Sequence, residues 1–182
     1  SNAFYLPAPF WAKQGIITYA YDQRGFGGAP HRGFWPGTKT LTADLRTAVA
    51  AISKRHTGIP VYVLGVSMGG AVVMATLAEG PIEAIDGAIL AAPAVWGRTH
   101  MNIFQCAALW LAYNTMPDLK LTGRGLKIQP SDNIKMLRKI SKDRQMIRET
   151  RVDTIKGLVD LMDTAFAAAP KISHTPVLIA YG

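Results

Sequence analysis

Residues 60–79 join an apolar run to a helix-forming run with almost no loop between them. The run Pro60–Gly65 (PVYVLG) predicts a buried strand, and Met68–Glu79 predicts a helix of small residues. A serine between glycines, in Gly65-Val66-Ser67-Met68-Gly69, occupies the turn. A strand that passes directly into a helix is one half of the strand–helix–strand unit from which α/β proteins are built.

Further runs of the same kind extend this alternation along the chain. Gly15–Asp22, Ile85–Ala92 and Pro176–Tyr181 predict strands, Thr42–Ile52 has apolar residues at helical spacing, and Phe4–Gln14 is a candidate helix. Strands that are apolar almost throughout are typical of a parallel sheet that is covered on both sides. We therefore expect an α/β fold in which a parallel sheet carries helices on both faces.

The alternation stops between Arg98 and Pro170, where we expect no strand. Helical spacing is found in 102–114, from about Ser131, and in 152–166. The simplest interpretation is a helical cap insertion between two neighbouring strands, over the carboxyl ends where α/β proteins place their sites. The expected domains are the first part of the core at 4–96, the cap at 97–170 and a return strand at 171–182. Ser1-Asn2-Ala3 is interpreted as the remnant of an expression tag.

Composition excludes several classes of protein. The 182 residues are 49% hydrophobic and 18% charged, which suits one globular core and excludes disorder and fibrous repeats. No apolar stretch approaches the roughly 20 residues that cross a bilayer. Cys106 is the only cysteine, so no internal disulfide and no cysteine-based metal cluster is expected, and a reducing, cytoplasmic compartment fits.

Positive charge is concentrated in one segment. The formal net charge is +8, and residues 120–156 hold eleven basic against four acidic side chains. Nucleic-acid binding would require aromatic residues among the basic ones, and residues 120–156 contain none. We therefore expect no nucleic-acid partner. A solvated helix face and peripheral attraction to an anionic membrane surface both stay open as interpretations.

The serine turn is where chemistry is expected. A serine at a tight strand-to-helix turn is held in a strained backbone conformation that pushes its hydroxyl out of the sheet, which makes Ser67 the candidate nucleophile. The lack of β-carbons at Gly65, Gly69 and Gly70 allows strand and helix to approach closely. The N–H of Met68, at the positive end of the helix, can stabilise an oxyanion. The alternative is that Ser67 only caps the helix.

These residues resemble the α/β-hydrolase superfamily, and within it the monoacylglycerol lipase and lysophospholipase group of serine hydrolases. Tyr21-Asp22-Gln23-Arg24-Gly25-Phe26-Gly27 is similar to the family's D-x-R-G-x-G turn, and Gly65–Gly70 is similar to its nucleophile elbow. Ala92-Pro93-Ala94 and the closing Thr175–Gly182 extend the resemblance along the chain. Many members of the group carry histidine at the position of Val66, and an apolar side chain there is expected to alter the polarity beside the nucleophile.

The resemblance implies a serine ester hydrolase that acts on monoacylglycerols, lysophospholipids or similar acyl esters, with no metal or organic cofactor. It also implies a catalytic acid after Pro176–Tyr181 and a catalytic histidine later still, since the triad order in this fold is Ser, Asp or Glu, His. The second oxyanion N–H would come from a loop before Phe4. On this interpretation the chain is a central fragment that holds Ser67, lacks those three parts, and is impaired as a catalyst.

Other side chains are weaker candidates for the site. His31, Trp35 and Trp110 are candidates for lining a pocket, because His31 and Trp35 lie in a loop at the expected edge of the sheet and Trp110 lies in an apolar cap helix. Plain structural roles are the competing interpretation for all three. No catalytic role is expected for a further group of residues: His56, His100, His174, Asp22, Arg24 and Cys106.

Two other functions stay open at this point. A peptidase or thioesterase could use the same serine, because a fold does not choose a substrate. A non-catalytic lipid-binding or interaction module would use the basic segment and leave Ser67 without a chemical role.

Overall fold

The computed structural model describes residues 4–122 and 132–181. Its helices are α1 (Pro7–Ala12), α2 (Thr38–Arg55), α3 (Met68–Ala78), α4 (Ile103–Thr115), α5 (Ile134–Ile140) and α6 (Val152–Ala168). Its strands are β1 (Tyr62–Val66), β2 (Gly87–Ala91), β3 (Lys120–Thr122), β4 (Glu149–Arg151) and β5 (Val177–Ala180). Two 3-10 turns lie at Arg98–His100 and Ala169–Lys171.

The described residues form two compact units. One unit draws on Ser1–Phe34 and Lys120–Thr150, and the other on Trp35–Leu119 and Arg151–Gly182. The expected domain bounds at 4–96, 97–170 and 171–182 stay a prediction.

The second unit is built on a three-stranded sheet in the order β1-β2-β5. Both pairs are parallel, with Leu64 opposite Ile89 and Ile89 opposite Leu178. The expected parallel sheet flanked by helices is thereby confirmed. Strands β2 and β5 are neighbours although α4 and α6 lie between them in the chain, which is the position expected for an insertion between adjacent strands.

Helix α3 lies at the centre of the core of this unit. Its residues from Gly70 to Leu77 are all buried, and it contacts α2, α6, β1 and β2. A helix that is apolar on every side needs a neighbour on every side, which explains why small residues predominate in α3. The core includes Leu41, Leu45, Val49, Val63, Val72, Leu77, Leu90, Leu161 and Ala165.

Helix α6 corrects one detail of the sequence interpretation. The helical spacing in 152–166 predicts one buried apolar stripe through Val152, Ile155, Val159, Met162 and Phe166. Val152 and Val159 are buried, but Phe166 is 52% exposed. The buried face also includes Gly157, Leu161 and Ala165. Gly157 lies against the indole ring of Trp35, and Leu161 is fully buried in the core.

Two predictions about strands are wrong. Residues Gly15–Asp22 form no strand in the structure, and Ile16, Ile17, Tyr19 and Tyr21 are all more than 40% exposed. An apolar run becomes a strand only where another strand offers its hydrogen bonds. Conversely, β3 and β4 pair with each other inside 98–170, where none was expected. Three residues are too few to show an alternating pattern.

The remaining helices follow the sequence predictions with shifted bounds: α2 is longer than the predicted 42–52, and α4 begins one residue after the predicted 102. Helix α1 covers only part of Phe4–Gln14, and α5 begins after Asn133, whose side chain accepts a hydrogen bond from the Met136 N–H at 3.0 Å. The expected start at Ser131 and the tripeptide Ser1-Asn2-Ala3 lie outside the described residues. No helix in residues 4–122 and 132–181 combines the length and the apolar composition needed to cross a bilayer.

Candidate active site

Ser67 forms the whole connection between β1 and α3. Its backbone has φ 51° and ψ −117°, a conformation that a residue with a β-carbon rarely adopts. Its side chain is exposed and makes no capping hydrogen bond to α3. A capping serine has an extended backbone and accepts a hydrogen bond from the first turn, so the structure contradicts the capping interpretation.

The last residue of β2 and the segment after it, residues 92–98, hold the backbone of Ser67 from both sides. The Ser67 N–H donates to the Ala91 carbonyl at 3.0 Å, and the Ser67 carbonyl accepts from the Ala94 N–H at 3.0 Å. The same carbonyl also accepts the first helical hydrogen bond, from the Ala71 N–H at 3.2 Å. A strained conformation costs about 1–3 kcal/mol and persists only where its surroundings enforce it. These three hydrogen bonds supply that enforcement.

Close backbone approach explains two of the three elbow glycines. A β-carbon on Gly65 would lie 2.6 Å from the Gly69 carbonyl oxygen, and one on Gly70 would lie 2.8 Å from the Pro93 Cβ. The structure corrects the expectation for Gly69, where a β-carbon would meet no atom of the described residues within 4 Å. Gly69 contributes its backbone to the contact with Gly65, and the side of its Cα that would carry a side chain faces open space.

Met68 is the first residue of α3, so its N–H has no carbonyl partner four residues earlier within the helix. It belongs to the same peptide unit as the Ser67 carbonyl, which the Ala94 N–H holds. A peptide unit is planar, so fixing the carbonyl also fixes the direction of the N–H.

The chain matches the family described as serine aminopeptidase, S33, over residues 1–182. It belongs to this family of α/β hydrolases. The predicted superfamily is thereby confirmed, and the Gly65–Gly70 turn of this hydrolase is the feature on which the prediction depended.

Solved structures share the fold of this hydrolase at low sequence identity. A monoacylglycerol lipase from Paleococcus ferrophilus aligns with a TM-score of 0.78 and 20% identity, over 100% of this chain and 68% of its own. A lipase in its open form aligns with a TM-score of 0.76 and 17% identity, over 99% of this chain and 66% of its own. A soluble variant of monoglyceride lipase from Saccharomyces cerevisiae, in complex with a substrate analog, aligns with a TM-score of 0.63 and 22% identity. The alignment covers 88% of this chain and 57% of the lipase. The chain therefore spans about two thirds or less of the length of these structures.

None of the histidines in the second unit of the hydrolase forms a hydrogen bond with Ser67 in the described residues. His174 is exposed and precedes β5, so it lies at the amino end of the sheet, opposite to Ser67. His56 ends α2. His100 accepts or donates a hydrogen bond with the Thr99 hydroxyl at 3.0 Å, and its ring lies between those of Trp96 and Phe166. No catalytic base for Ser67 is therefore found among these three.

The candidate pocket residues have different surroundings. His31 is exposed, with φ 57°, and belongs to the first unit, whereas Ser67 belongs to the second. Trp35 packs against α6, where a β-carbon on Gly157 would overlap its indole ring. Trp110 is 67% exposed on α4. Pocket lining stays a prediction for all three.

Asp22 has the structural role expected from the D-x-R-G-x-G resemblance. Its carboxylate accepts a hydrogen bond from the Gly28 N–H at 2.9 Å, and a β-carbon on Gly27 would overlap that carboxylate. The contact closes the loop after residue 22. Cys106 is half-buried on α4.

Sequence reasoning missed an ionic cluster that joins the segment after β2 to α6. The Asp163 carboxylate accepts hydrogen bonds from the backbone N–H of Arg98 at 2.6 Å and from its guanidinium. The same guanidinium donates to Asp160 at 2.6 Å, and Asp160 also accepts from Lys156 at 2.6 Å. Arg98 lies 62 positions before Asp160 and 65 before Asp163, so no local pattern could have revealed that Arg98 joins these two aspartates.

Two pKa shifts reflect this cluster. The hydrogen bond to Asp160 raises the pKa of Arg98, against partial burial, and Asp163 adds to the effect. Burial acts to raise the pKa of Asp160, but the hydrogen bonds from Lys156 and Arg98 outweigh it and hold that pKa below its ordinary value. Both groups are therefore charged at neutral pH. In the described residues, no group of three or more His, Cys, Asp or Glu is arranged to hold a metal ion.

Proposed function

We propose that the protein is a serine ester hydrolase of the lysophospholipase or monoacylglycerol lipase type and that Ser67 is its nucleophile. The observation that carries the proposal is the conformation of Ser67, with φ 51° and a hydroxyl that is exposed and makes no capping hydrogen bond. A residue is held in such a strained conformation where the strain is part of a function. At the carboxyl end of β1, the exposed hydroxyl is open to a substrate.

The proposed reaction is acyl transfer through a covalent intermediate. The Ser67 Oγ attacks the ester carbonyl carbon, its proton passes to a base, and the bond from carbon to the alcohol oxygen breaks as the alcohol leaves with a proton. Water then attacks the acyl-serine, releases the fatty acid and restores the hydroxyl. No metal or organic cofactor takes part in the proposed steps.

Met68 supplies one proposed oxyanion donor. Its N–H lies at the amino end of α3, where the helix dipole favours negative charge. Removing one such donor from an oxyanion hole costs about 3–4 kcal/mol of transition-state stabilisation. The second donor is proposed to come from a residue outside this chain.

The base and its orienting acid are also proposed to lie outside this chain. Support comes from the position of His174 at the opposite end of the sheet and from the aromatic packing of His100. Triad members act as a unit, so the 182-residue chain alone should turn over short-chain esters several orders of magnitude more slowly than the complete enzyme. Turnover by the isolated chain at the rate of the complete enzyme would contradict this part of the proposal.

Acyl esters with a glycerol or lysophospholipid headgroup are the proposed substrates. The resemblance of the elbow and of the D-x-R-G-x-G turn supports them, and monoacylglycerol lipases share the fold. A peptidase is the second candidate, because the matching family is described as a serine aminopeptidase. Esters and amides are attacked by the same nucleophile, so only a comparison of substrates separates the two.

We also propose that α4 contacts an anionic membrane surface peripherally. None of its residues is buried in the structure, and Ile103, Phe104 and Trp110 are 78%, 82% and 67% exposed. Exposed aromatic and aliphatic side chains on one helix favour insertion at the lipid interface. The basic residues of 120–156 follow α4 in the chain and would add attraction to anionic headgroups.

A fluorophosphonate probe on the complete protein tests the nucleophile. We expect one modified peptide, carrying Ser67, and no modification in Ser67→Ala, while the matched control Ser53→Ala on α2 is modified like the wild type. A folded protein whose Ser67 is not modified would refute the assignment. Hydrolysis of monoacylglycerol and lysophosphatidylcholine, compared with aminoacyl anilides, then separates the esterase from the peptidase.

A further inference from the structure

We propose that Asp163 is a positioning residue for the oxyanion donor Met68, acting through the segment 92–98, in which Arg98 is the last residue. This inference rests on the proposed role of Ser67 and Met68. It concerns a side chain on α6 whose carboxylate contacts the segment after β2 and has no hydrogen bond with the serine turn itself.

The first step is the contact between α6 and the segment. Asp163 accepts the backbone N–H of Arg98 at 2.6 Å with one oxygen and the Arg98 guanidinium with the other. Gly97 is buried beside it, and a β-carbon there would overlap the carboxylate. Both the backbone and the side chain of residue 98 are thus fixed to one carboxylate.

The second step runs along the segment to the serine turn. Ala94 lies four residues before Arg98, and its N–H donates to the Ser67 carbonyl at 3.0 Å. Pro93 is buried against Gly70 at the start of the segment. The segment is therefore held at Pro93 and at Arg98, with Ala94 between the two anchors.

The third step is the peptide unit that Ser67 shares with Met68. Its carbonyl accepts from Ala94, and its N–H is the proposed oxyanion donor. Because the unit is planar, a rotation that weakens the Ala94 hydrogen bond turns the Met68 N–H away from the developing oxyanion. A donor that loses its alignment stabilises the transition state less without changing substrate binding in the ground state.

Asp163 is better suited to this role than its neighbour Asp160. Asp160 binds the same guanidinium and is shared with Lys156, and among the described residues no hydrogen bond joins its carboxylate to the backbone of the segment. Asp163 alone in this cluster accepts a main-chain hydrogen bond from the segment. Its removal therefore frees the backbone at residue 98, whereas removal of Asp160 leaves that backbone held.

Saturation kinetics of fluorophosphonate labelling on the complete protein test the proposal. In Asp163→Ala we expect the maximal labelling rate constant to fall about tenfold, with the half-saturating probe concentration within about twofold of the wild type. Asp163→Asn keeps an oxygen acceptor for the Arg98 N–H and should lose only about threefold. Asp153→Asn is the matched control. It also removes one negative charge from α6, but the native Asp153 pairs with Arg151 rather than with Arg98.

A purely structural role gives a different result. It would lower the fraction of protein that labels and leave the rate constant of the labelled fraction unchanged, and that outcome would overturn the proposal. Equal rate constants in Asp163→Ala and the wild type would also overturn it. If both Asp163 variants fail to fold, Asp163→Glu keeps the charge but moves the carboxylate by one methylene relative to the Arg98 N–H, and its rate constant must fall.

Amide hydrogen exchange separates this proposal from the proposed function. Exchange in the peptide that contains Ala94 should accelerate in Asp163→Ala and stay unchanged in Asp153→Asn. If the probe does not label the wild-type protein, the role of Ser67 is refuted and, with it, the positioning of a catalytic donor. Labelled wild-type protein with unchanged exchange and rate constant in Asp163→Ala would refute the role of Asp163 alone.

Discussion

The carbonyl oxygen of Gly69 lies 2.6 Å from the place where a β-carbon on Gly65 would stand. Strand β1 and helix α3 therefore meet backbone to backbone across this glycine, with Ser67 as the only residue between them. A β-carbon built on Gly69, in contrast, would have no atom of the described residues within 4 Å. The two glycines of the G-x-S-x-G pattern thus have different physical reasons for being glycine.

Alanine substitutions should separate the elbow glycines. Gly65→Ala forces a β-carbon into backbone atoms that cannot move away, so we expect the free energy of unfolding to fall by about 3 kcal/mol or more. Gly69→Ala lies in the first turn of α3 in open space, and the better helix propensity of alanine should leave stability unchanged or raise it by up to about 1 kcal/mol. Urea denaturation followed by circular dichroism measures both. Equal losses in the two variants would contradict this account.

Arg46 should stabilise the carboxyl end of α3. Its guanidinium donates to the carbonyls of Thr76, Gly80 and Pro81 at 2.7, 2.9 and 3.0 Å. Carbonyls at a helix end lack partners and carry partial negative charge, so we expect Arg46→Ala to lower the free energy of unfolding by about 1–3 kcal/mol.

Lys39→Ala is the control for that substitution. Lys39 and Arg46 are both on α2, and Lys39 is exposed in the first turn of that helix. We expect its free energy of unfolding to stay within about 0.5 kcal/mol of the wild type. A loss of the same size at Lys39 and Arg46 would mean that net charge, not the contact with α3, determines the effect.

Acid should weaken the fold through Asp153. Hydrogen bonds from Arg151, against partial burial, lower the pKa of this carboxyl below its ordinary value of 3.8. A group whose pKa is lower in the folded state contributes stability above its unfolded pKa and loses that contribution as the pH falls through the folded value. We therefore expect the free energy of unfolding to decrease as the pH falls below about 4, with a smaller decrease in Asp153→Asn. Parallel profiles for the two proteins would show that Asp153 contributes nothing.

The proposed membrane contact of α4 can be tested with a matched pair of isoleucines. Ile103, on α4, is 78% exposed, and Ile59, before β1, is 52% exposed. Loss of an apolar side chain that inserts at the interface should weaken partitioning, so we expect Ile103→Ser to bind anionic vesicles about fivefold more weakly. Ile59→Ser should bind like the wild type. Sedimentation with phosphatidylserine vesicles measures both, and equal binding by all three proteins would exclude α4 from the contact.

Sequence reasoning succeeded where the deciding forces are local. The pattern of residues from Pro60 to Glu79 predicts the strand, the turn and the helix, because apolar spacing and glycine placement act over a few residues. It failed for Gly15–Asp22, where the structure assigns no strand to an apolar run. It also failed for part of the buried face of α6, where Leu161 and Ala165 are buried and Phe166 is 52% exposed.

The sequence alone determined the alternation of strands and helices, the place of the serine turn and the family resemblance, since each is written in residues close together along the chain. The tertiary structure decided which atoms hold Ser67 in its strained conformation. The Ala91 carbonyl comes from the neighbouring strand β2 and the Ala94 N–H from the segment after it, 24 and 27 positions after Ser67 in the chain. Hydrogen bonds of this kind depend on which distant backbone groups the fold brings together, and no periodicity in the sequence records them.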